Sequence, residues 1–351
     1  MKCSVIKIAT GSPSDVEGVR ACVEDGTLLP GEVIAVIGKT EGNGCVNDFT
    51  RGYAVRCLSD FFAPLAEEAS RISYVMSGGT EGVLSPHLTI VSRSGRPGGT
   101  KGAGKYLAAG VARTRSILAE ELGRIAQVRE VADAVHRAME EAGIESPEDV
   151  HFVQIKCPLL SSGDIHGARS RGAELVTEDT YESMGYSRGA SALGVALALG
   201  EAEELRDADI CDGGDKFSSV ASASGGIELD YCEVIVLGNS LYAEGPYFID
   251  HGVMRDAIDA EALRSLLARH EGAELVQVLA KAEADPDGYV RSRRHTMLND
   301  SDINHTRHAR AVVGGVLASV CGDPMIYVSG GAEHQVPPGG GPVAAIFKAV
   351  T

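Results

Sequence analysis

The chain has no tryptophan, and aromatic residues make up only 5% of its 351 positions, so a platform for stacking bases or sugars is not expected. Positive charge is also in short supply. Thirty-two Lys and Arg against 49 Asp and Glu leave a formal net charge of −17, and nucleic acid or an anionic membrane surface would be repelled by that field. No apolar run approaches a membrane span, and the Met1-Lys2 start leads into a short strand-like stretch at residues 3–9 without a cleavage-site pattern. A cytoplasmic protein is expected. The eight cysteines form no CxxC pair and do not cluster with histidine, so reduced, mostly buried thiols are expected rather than disulfides or a zinc site. Glycine, by contrast, is abundant at 43 residues, and an apolar fraction of 44% is ample for a core.

The glycines are not scattered. Ser-Gly-Gly-x-Glu occurs at residues 77–81, 224–228 and 329–333, where roughly 0.02 chance copies are expected from ordinary residue usage. Three copies mean internal repetition. Upstream of each signature an apolar, β-branched run ends in lysine, at residues 33–39, 152–156 and 276–281, as a buried strand would. Between lysine and serine lies a helix-like segment with an arginine near its start: Arg51 in NDFTRGYAVRCL, Arg188 in GYSRGASALGVALAL and Arg310 in TRHARAVVGGVLASV. The lysine-to-serine separations differ, at 38 (39 to 77), 68 (156 to 224) and 48 (281 to 329), which loop entropy tolerates. Further amphipathic helices are read at 118–144 and 259–275, a Gly/Ser/basic linker at 92–105 and a second junction at 237–250. The fold class is therefore α/β, with three homologous units at 1–96, 105–241 and 247–351 closing around a pseudo-threefold axis.

Such closure brings three lysines, three arginines and three serines to one centre. A serine beside a lysine is a nucleophile and base pair if the lysine is neutral, and burial with a neighbouring guanidinium favours that form. Glycine next to the serine leaves backbone N–H groups free to act as oxyanion donors. The implied ligand is small, rich in carbonyls and able to carry negative charge.

The stretches GKTEGNGCVNDFTR (38–51), MSGGTEGVLSPH (76–87), HFVQIKCPLL (151–160), TYESMGYSRGASALG (180–194), HTMLNDSDINHTRHARAV (295–312) and YVSGGAEHQ (327–335) resemble the cyanuric acid hydrolase and barbiturase family of ring-opening cyclic amidohydrolases. The resemblance covers essentially the whole chain. It implies a Toblerone-like arrangement of the three units, a central active site, a homotetramer and no organic cofactor. It also implies hydrolysis of one C–N bond of cyanuric acid by a Ser-Lys dyad, giving carboxybiuret, which loses CO2 to become biuret, a step in s-triazine degradation. Carried over by motif, the nucleophile is Ser224 and the base Lys156. Substrate contacts fall to Lys39, Lys281, Ser77, Ser329, Arg51, Arg188, Arg310, Gly78, Gly225 and Gly330. A structural divalent cation, Mg2+ or Ca2+, is implied at Glu283 and at the carbonyls of Ala332, Gln335, Val336, Pro337 and Gly340. The family usually has glycine at the position of Val336, where a positive φ would strain valine.

Single features allow plainer readings. Arg307 competes with Arg310 for the third arginine position, with Arg310 preferred. His87, His151, His295 and His334 have no repeated partner and read as structural, Cys157 reads as a packing thiol, and Glu81, Glu228 and Glu333 as ties between loops. GKTEGNG lacks the GxxxxGK[ST] spacing of a phosphate loop. Two alternatives to cyanuric acid turnover stand beside it: barbituric acid ring opening, and a small-anion binder without turnover.

Overall fold

The computed structural model describes residues 1–98 and 100–350; Gly99, in the stretch read as a linker, and Thr351, at the end of the third unit, lie outside the described residues. The first stretch of chain forms β1 (Lys2–Ala9), α1 (Glu17–Glu24), β2 (Val33–Thr40), α2 (Phe49–Phe62), β3 (Ser73–Gly78) and β4 (His87–Ser94). The second forms β5 (Tyr106–Arg113), α3 (Ile125–Ala142), β6 (Val150–Cys157), α4 (Ser162–Ser170), α5 (Thr180–Leu199), β7 (Ala221–Gly225) and β8 (Glu233–Ser240). The third forms β9 (Tyr247–Met254), α6 (Ala260–Arg269), β10 (Glu274–Ala282), a small β11 (Tyr289–Val290) and β12 (Arg293–Arg294) hairpin, α7 (His305–Cys321), β13 (Tyr327–Gly330) and β14 (Gly341–Lys348).

Each stretch builds one four-stranded sheet of the same order: β1-β4-β2-β3, β5-β8-β6-β7 and β9-β14-β10-β13. Within each, the lysine strand and the serine strand run parallel, joined by the arginine helix, and the remaining pairs are antiparallel. The lysine strands share an irregularity at the same point, between Val33 and Ala35, Val150 and Phe152, and Leu275 and Gln277. An extra residue there bends each strand alike, so the repetition reaches the backbone itself.

Alternation along the strands gives every sheet two buried faces. The inner faces meet in one central cluster that takes Val5, Ile37 and Val75 from the first sheet, Leu107, Phe152 and Leu237 from the second, and Ile249, Leu279 and Ile346 from the third. The outer faces are covered by helices of their own unit, as with Val131 and Val135 of α3 over Val153 and Val236. The three arginine helices begin on comparable caps, where Asp48, Asp179 and Asn304 accept the N–H groups of Thr50, Glu182 and Thr306. Two of the three end on left-handed glycines, Gly200 and Gly322.

The element boundaries differ from the sequence reading in four places. The helix read over 118–144 spans only Ile125–Ala142. The stretch read as a linker from residue 92 starts inside β4, the junction read at 237–250 narrows to the turn between β8 and β9, and the helix read over 259–275 stops at Arg269 because β10 begins at Glu274. His151 sits at the strand irregularity of the second sheet, with its Nδ1 2.8 Å from His251 Nδ1. Asp250 beside them is already committed to His270 Nε2 at 2.8 Å and to Arg269, so the group is a closed hydrogen-bonded network. Among the described residues no helix is long and apolar enough to cross a membrane.

Candidate active site

Parallel pairing places each lysine opposite its serine: Lys39 with Ser77, Lys156 with Ser224, and Lys281 with Ser329. All three strands end at the same end of the molecule. One pocket there is lined by Ser77, Ser224 and Ser329, by the glycine after each (Gly78, Gly225, Gly330), and by Arg51, Arg188 and Arg310, with Gly44 and Met184 completing the wall. An outer cavity of about 900 Å³ lined by Pro30, Arg71, Arg96 and Glu140 holds none of these groups. Chemistry, not volume, marks the site. Arg310 and not Arg307 reaches the pocket; Arg307 donates to the carbonyl of Asp302 near the surface.

The three lysines are among the most deeply buried side chains of the protein, each exposed by 1% or less. Burial pushes the pKa of all three down, since an ammonium loses hydration there. Lys281 falls to about 7, with Arg188 adding to the effect of burial, and Lys39 falls well below its ordinary value, with Arg310 adding. Their contacts differ. Lys39 Nζ donates to Ser77 Oγ at 3.3 Å and Lys281 Nζ to Ser329 Oγ at 3.2 Å. The matching contact expected between Lys156 and Ser224 is not made: Ser224 Oγ lies 2.8 Å from Ser329 Oγ, while Lys156 Nζ donates to the carbonyl of Met76 at 3.0 Å and pairs with Glu228. The strand register for the dyad is present, and the two side chains are turned to other partners.

The second glycine of each signature has a steric reason. A Cβ on Gly79 would come within 2.5 Å of Arg310, and one on Gly331 within 2.7 Å of Arg188; on Gly226 it would collide with the side chains of Lys156 and Glu228. Those arginines come from neighbouring units. Arg310 Nε donates to Glu81 at 2.8 Å and Arg188 Nε to Glu333 at 2.8 Å, so these two glutamates tie loops together across unit boundaries.

Two residues escaped the sequence reading. Buried Asp48 caps α2, accepts the N–H of Gly44 at 2.8 Å and lies 3.7 Å from Arg51, fixing one wall of the pocket. Its place before a helical run was the available signal. Tyr327, two residues before Ser329, has its hydroxyl within reach of Ser77, Ser224 and Ser329 yet directed at none of them, and burial pushes it up to about 12. It is fully buried in the central cluster, with Lys39 Nζ 6.0 Å from the centre of its ring. No repeat announced it, because the equivalent positions are Val75 and Ser222. Cys157 points its thiol at the carbonyl of Ser224 and burial raises its pKa, as befits packing. Of the single histidines, His334 accepts the N–H of Cys211 at 2.7 Å and lies against the Lys216 carbonyl, bracing the last loop.

That last loop carries the residues implied for a cation. The carboxylate of Glu283 accepts the N–H of Gly339 at 3.1 Å, and burial, then the nearby Glu333, raises its pKa to about 7. A buried carboxylate facing a second one, beside a loop of main-chain carbonyls, is a hard-oxygen donor set that a divalent cation fits. Val336 has φ +80, the strained region expected there, and is held in it by donating to the carbonyl of Ser218 at 3.1 Å.

Residues 4–348 match the model of a family described as amidohydrolase ring-opening protein. The chain is 54% identical to a cyanuric acid amidohydrolase of Enterobacter cloacae, over 99% of this chain and 100% of that one. It is 53% identical to the cyanuric acid amidohydrolase of Pseudomonas sp. (strain ADP), over 98% and 99%. A solved structure of a cyanuric acid hydrolase superposes with a TM-score of 0.95 at 52% identity, covering 99% of both chains, and the hydrolase from A. caulinodans gives 0.94 at 52%, over 100% and 99%.

Proposed function

The chain belongs to the amidohydrolase ring-opening protein family, and from that membership we propose that it catalyses the hydrolytic opening of cyanuric acid to carboxybiuret, which loses CO2 to give biuret. The observation that carries this reading is the pocket itself, where serine, glycine and arginine recur three times around one centre. Cyanuric acid has three carbonyls and three ring N–H groups in the same symmetry, so each unit can address one edge.

In this mechanism Ser224 attacks one ring carbonyl and Lys156, as the neutral amine, takes the hydroxyl proton. The ring C–N bond then breaks, with the proton passing from Lys156 to the departing nitrogen, and water releases the acyl group by the same route in reverse. Ser77 with Lys39 and Ser329 with Lys281 hold the other two carbonyls, and Arg51, Arg188 and Arg310 stabilise the charge that develops on the ring oxygens. Fixing the flat ring at three edges supplies orientation.

The test is consumption of the ring by purified protein. Cyanuric acid is expected to disappear with formation of biuret, and barbituric acid, whose CH2 breaks the threefold match, at no more than about a hundredth of that rate. The reverse preference would make the protein a barbiturase, and binding of either ring without loss of it would make it a small-anion binder.

A divalent cation, Mg2+ or Ca2+, belongs to the same reading; Glu283 and the carbonyls of Ala332, Gln335, Val336, Pro337 and Gly340 would hold it, and it would supply fixed positive charge to offset the Glu283 carboxylate. Chelation is expected to lower the melting temperature by a few degrees and added Mg2+ or Ca2+ to restore it; a melting curve indifferent to chelator speaks against the cation. The eight free cysteines support a reducing, cytoplasmic setting, and a homotetramer is the assembly expected from the family resemblance.

A further inference from the structure

The three signature glutamates occupy one sequence position, so threefold packing asks the same contact of each. Two comply: Glu81 of the first unit takes Arg310 of the third, and Glu333 of the third takes Arg188 of the second. The same cyclic rule would send Glu228 of the second unit to Arg51 of the first. Instead, Glu228 Oε1 lies 3.0 Å from Lys156 Nζ, and Arg51 donates to the carbonyls of Gly225 and Cys45, both at 2.7 Å. The backbone departs with the side chain. Gly79 and Gly331 have φ of +102 and +78, whereas Gly226, in the same place, lies outside the left-handed region.

The break changes what can happen to a proton. Lys156 is 1% exposed, and its two partners are the Met76 carbonyl, which cannot accept a proton covalently, and the Glu228 carboxylate, which can. Lys39 and Lys281 have only serine hydroxyls and main-chain carbonyls as hydrogen-bond acceptors among the described residues. Glu228 is also open on its other side. Its side chain is 23% exposed and borders an outer cleft of about 270 Å³ with Arg113, Tyr231 and Glu233, separate from the pocket that the serines line.

We propose that Glu228 is the proton relay of Lys156, taking the proton of the buried ammonium and passing it to water in the outer cleft, so that a neutral amine faces Ser224 once the ring is bound. This deepens the reading of Ser224 and Lys156 as the dyad and rests on it. An N–H bond of Lys156 breaks as an O–H bond of Glu228 forms, turning an ion pair into a neutral pair; that O–H bond then breaks as a water of the outer cleft takes the proton to become hydronium, restoring the carboxylate, and the Ser224 hydroxyl gives its proton to the vacated lone pair of Lys156. A bound ring that excludes water from the pocket favours the neutral pair, because separated charge is costly there. The charged and titratable groups that act on Lys156 are Glu228, Arg51 and Cys157; on Glu228 they are Lys156 and Arg51. Glu228 acts through Lys156, so it is a positioning residue and not a catalytic one. The relay also gives the second unit, alone of the three, a proton exit that leaves the substrate undisturbed.

The test is Glu228→Gln, which keeps the shape and removes the proton site. Turnover is expected to fall at least about tenfold with KM for cyanuric acid changed by no more than about twofold. The acidic limb of the rate profile is expected to move to lower pH, because the carboxylate that raises the Lys156 pKa is gone. In Glu228→Gly, formate or imidazole buffer is expected to restore rate in proportion to its concentration, whereas Glu81→Gln shows no buffer response. Unchanged turnover in Glu228→Gln, a loss confined to KM, or a Glu228→Gly rate indifferent to buffer would each overturn the relay. A Ser224→Ala control separates the two readings. If that variant still turns over, the dyad fails; if it is silent while Glu228→Gln works like the parent, only the relay fails.

Discussion

Ser224→Ala is expected to lower turnover of cyanuric acid by at least about a thousandfold while leaving the melting temperature nearly unchanged, because a missing nucleophile has no substitute in the acyl-transfer step. The structural cost is small. Ser224 makes one hydroxyl contact, 2.8 Å to Ser329, and a single hydrogen bond of this kind contributes about 1 kcal/mol. Ser77→Ala and Ser329→Ala, which remove a carbonyl contact and not the attacking oxygen, are expected to lose about ten- to a hundredfold. Lys39 and Lys281 already touch their serines, so contact alone would favour either outer unit as the site of bond breaking. What sets the middle unit apart is the carboxylate beside Lys156, which the proposed relay uses. Steady-state kinetics on the three alanine variants decide the matter, and a silent Ser77→Ala beside an active Ser224→Ala would move the nucleophile to the first unit.

Arg310→Ala is expected to lower the free energy of unfolding by about 3 kcal/mol and to raise KM at least about tenfold. Arg310 is 3% exposed, donates to Glu81 and to the carbonyl of Asn43, and lines the pocket, so its removal strands a carboxylate between two units as well as one edge of the ring. The double variant Arg310→Leu with Glu81→Leu is expected to recover a good part of the stability, since no charge is then left unpaired, and none of the KM. Denaturant titration and kinetics read the two effects separately. Equal losses of stability in the single and double variants would show that the pair contributes through packing and not through charge.

The parts of this site that a reader of the sequence can find are those that recur. Lys39, Lys156 and Lys281 each end an apolar run, and each Ser-Gly-Gly follows at a variable distance, so strand order and the convergence of three loops can be inferred before any contact is seen. The resemblance to a known family then separates the roles of chemically equal serines, which repetition cannot do. Contacts between units leave no periodic trace. The pairing of Arg310 with Glu81 joins residues 229 positions apart, and nothing in either motif says that a glutamate faces the next unit's arginine and not its own lysine. The contact of Glu228, read only as a tie between loops, and the place of Tyr327 stay hidden for the same reason: each matters where one unit departs from the other two, and a departure is invisible until the common arrangement has been built. Asp48 differs, since it caps its helix as Asp179 and Asn304 cap theirs and its place before a helical run was a signal.

The buried tyrosine also marks where the three units stop being interchangeable. Its hydroxyl is within reach of one serine from each unit and engaged by none, and the residues in the same place of the other two units are Val75 and Ser222. A site assembled from three identical units would carry this phenol ring three times or not at all, whereas this site carries it once.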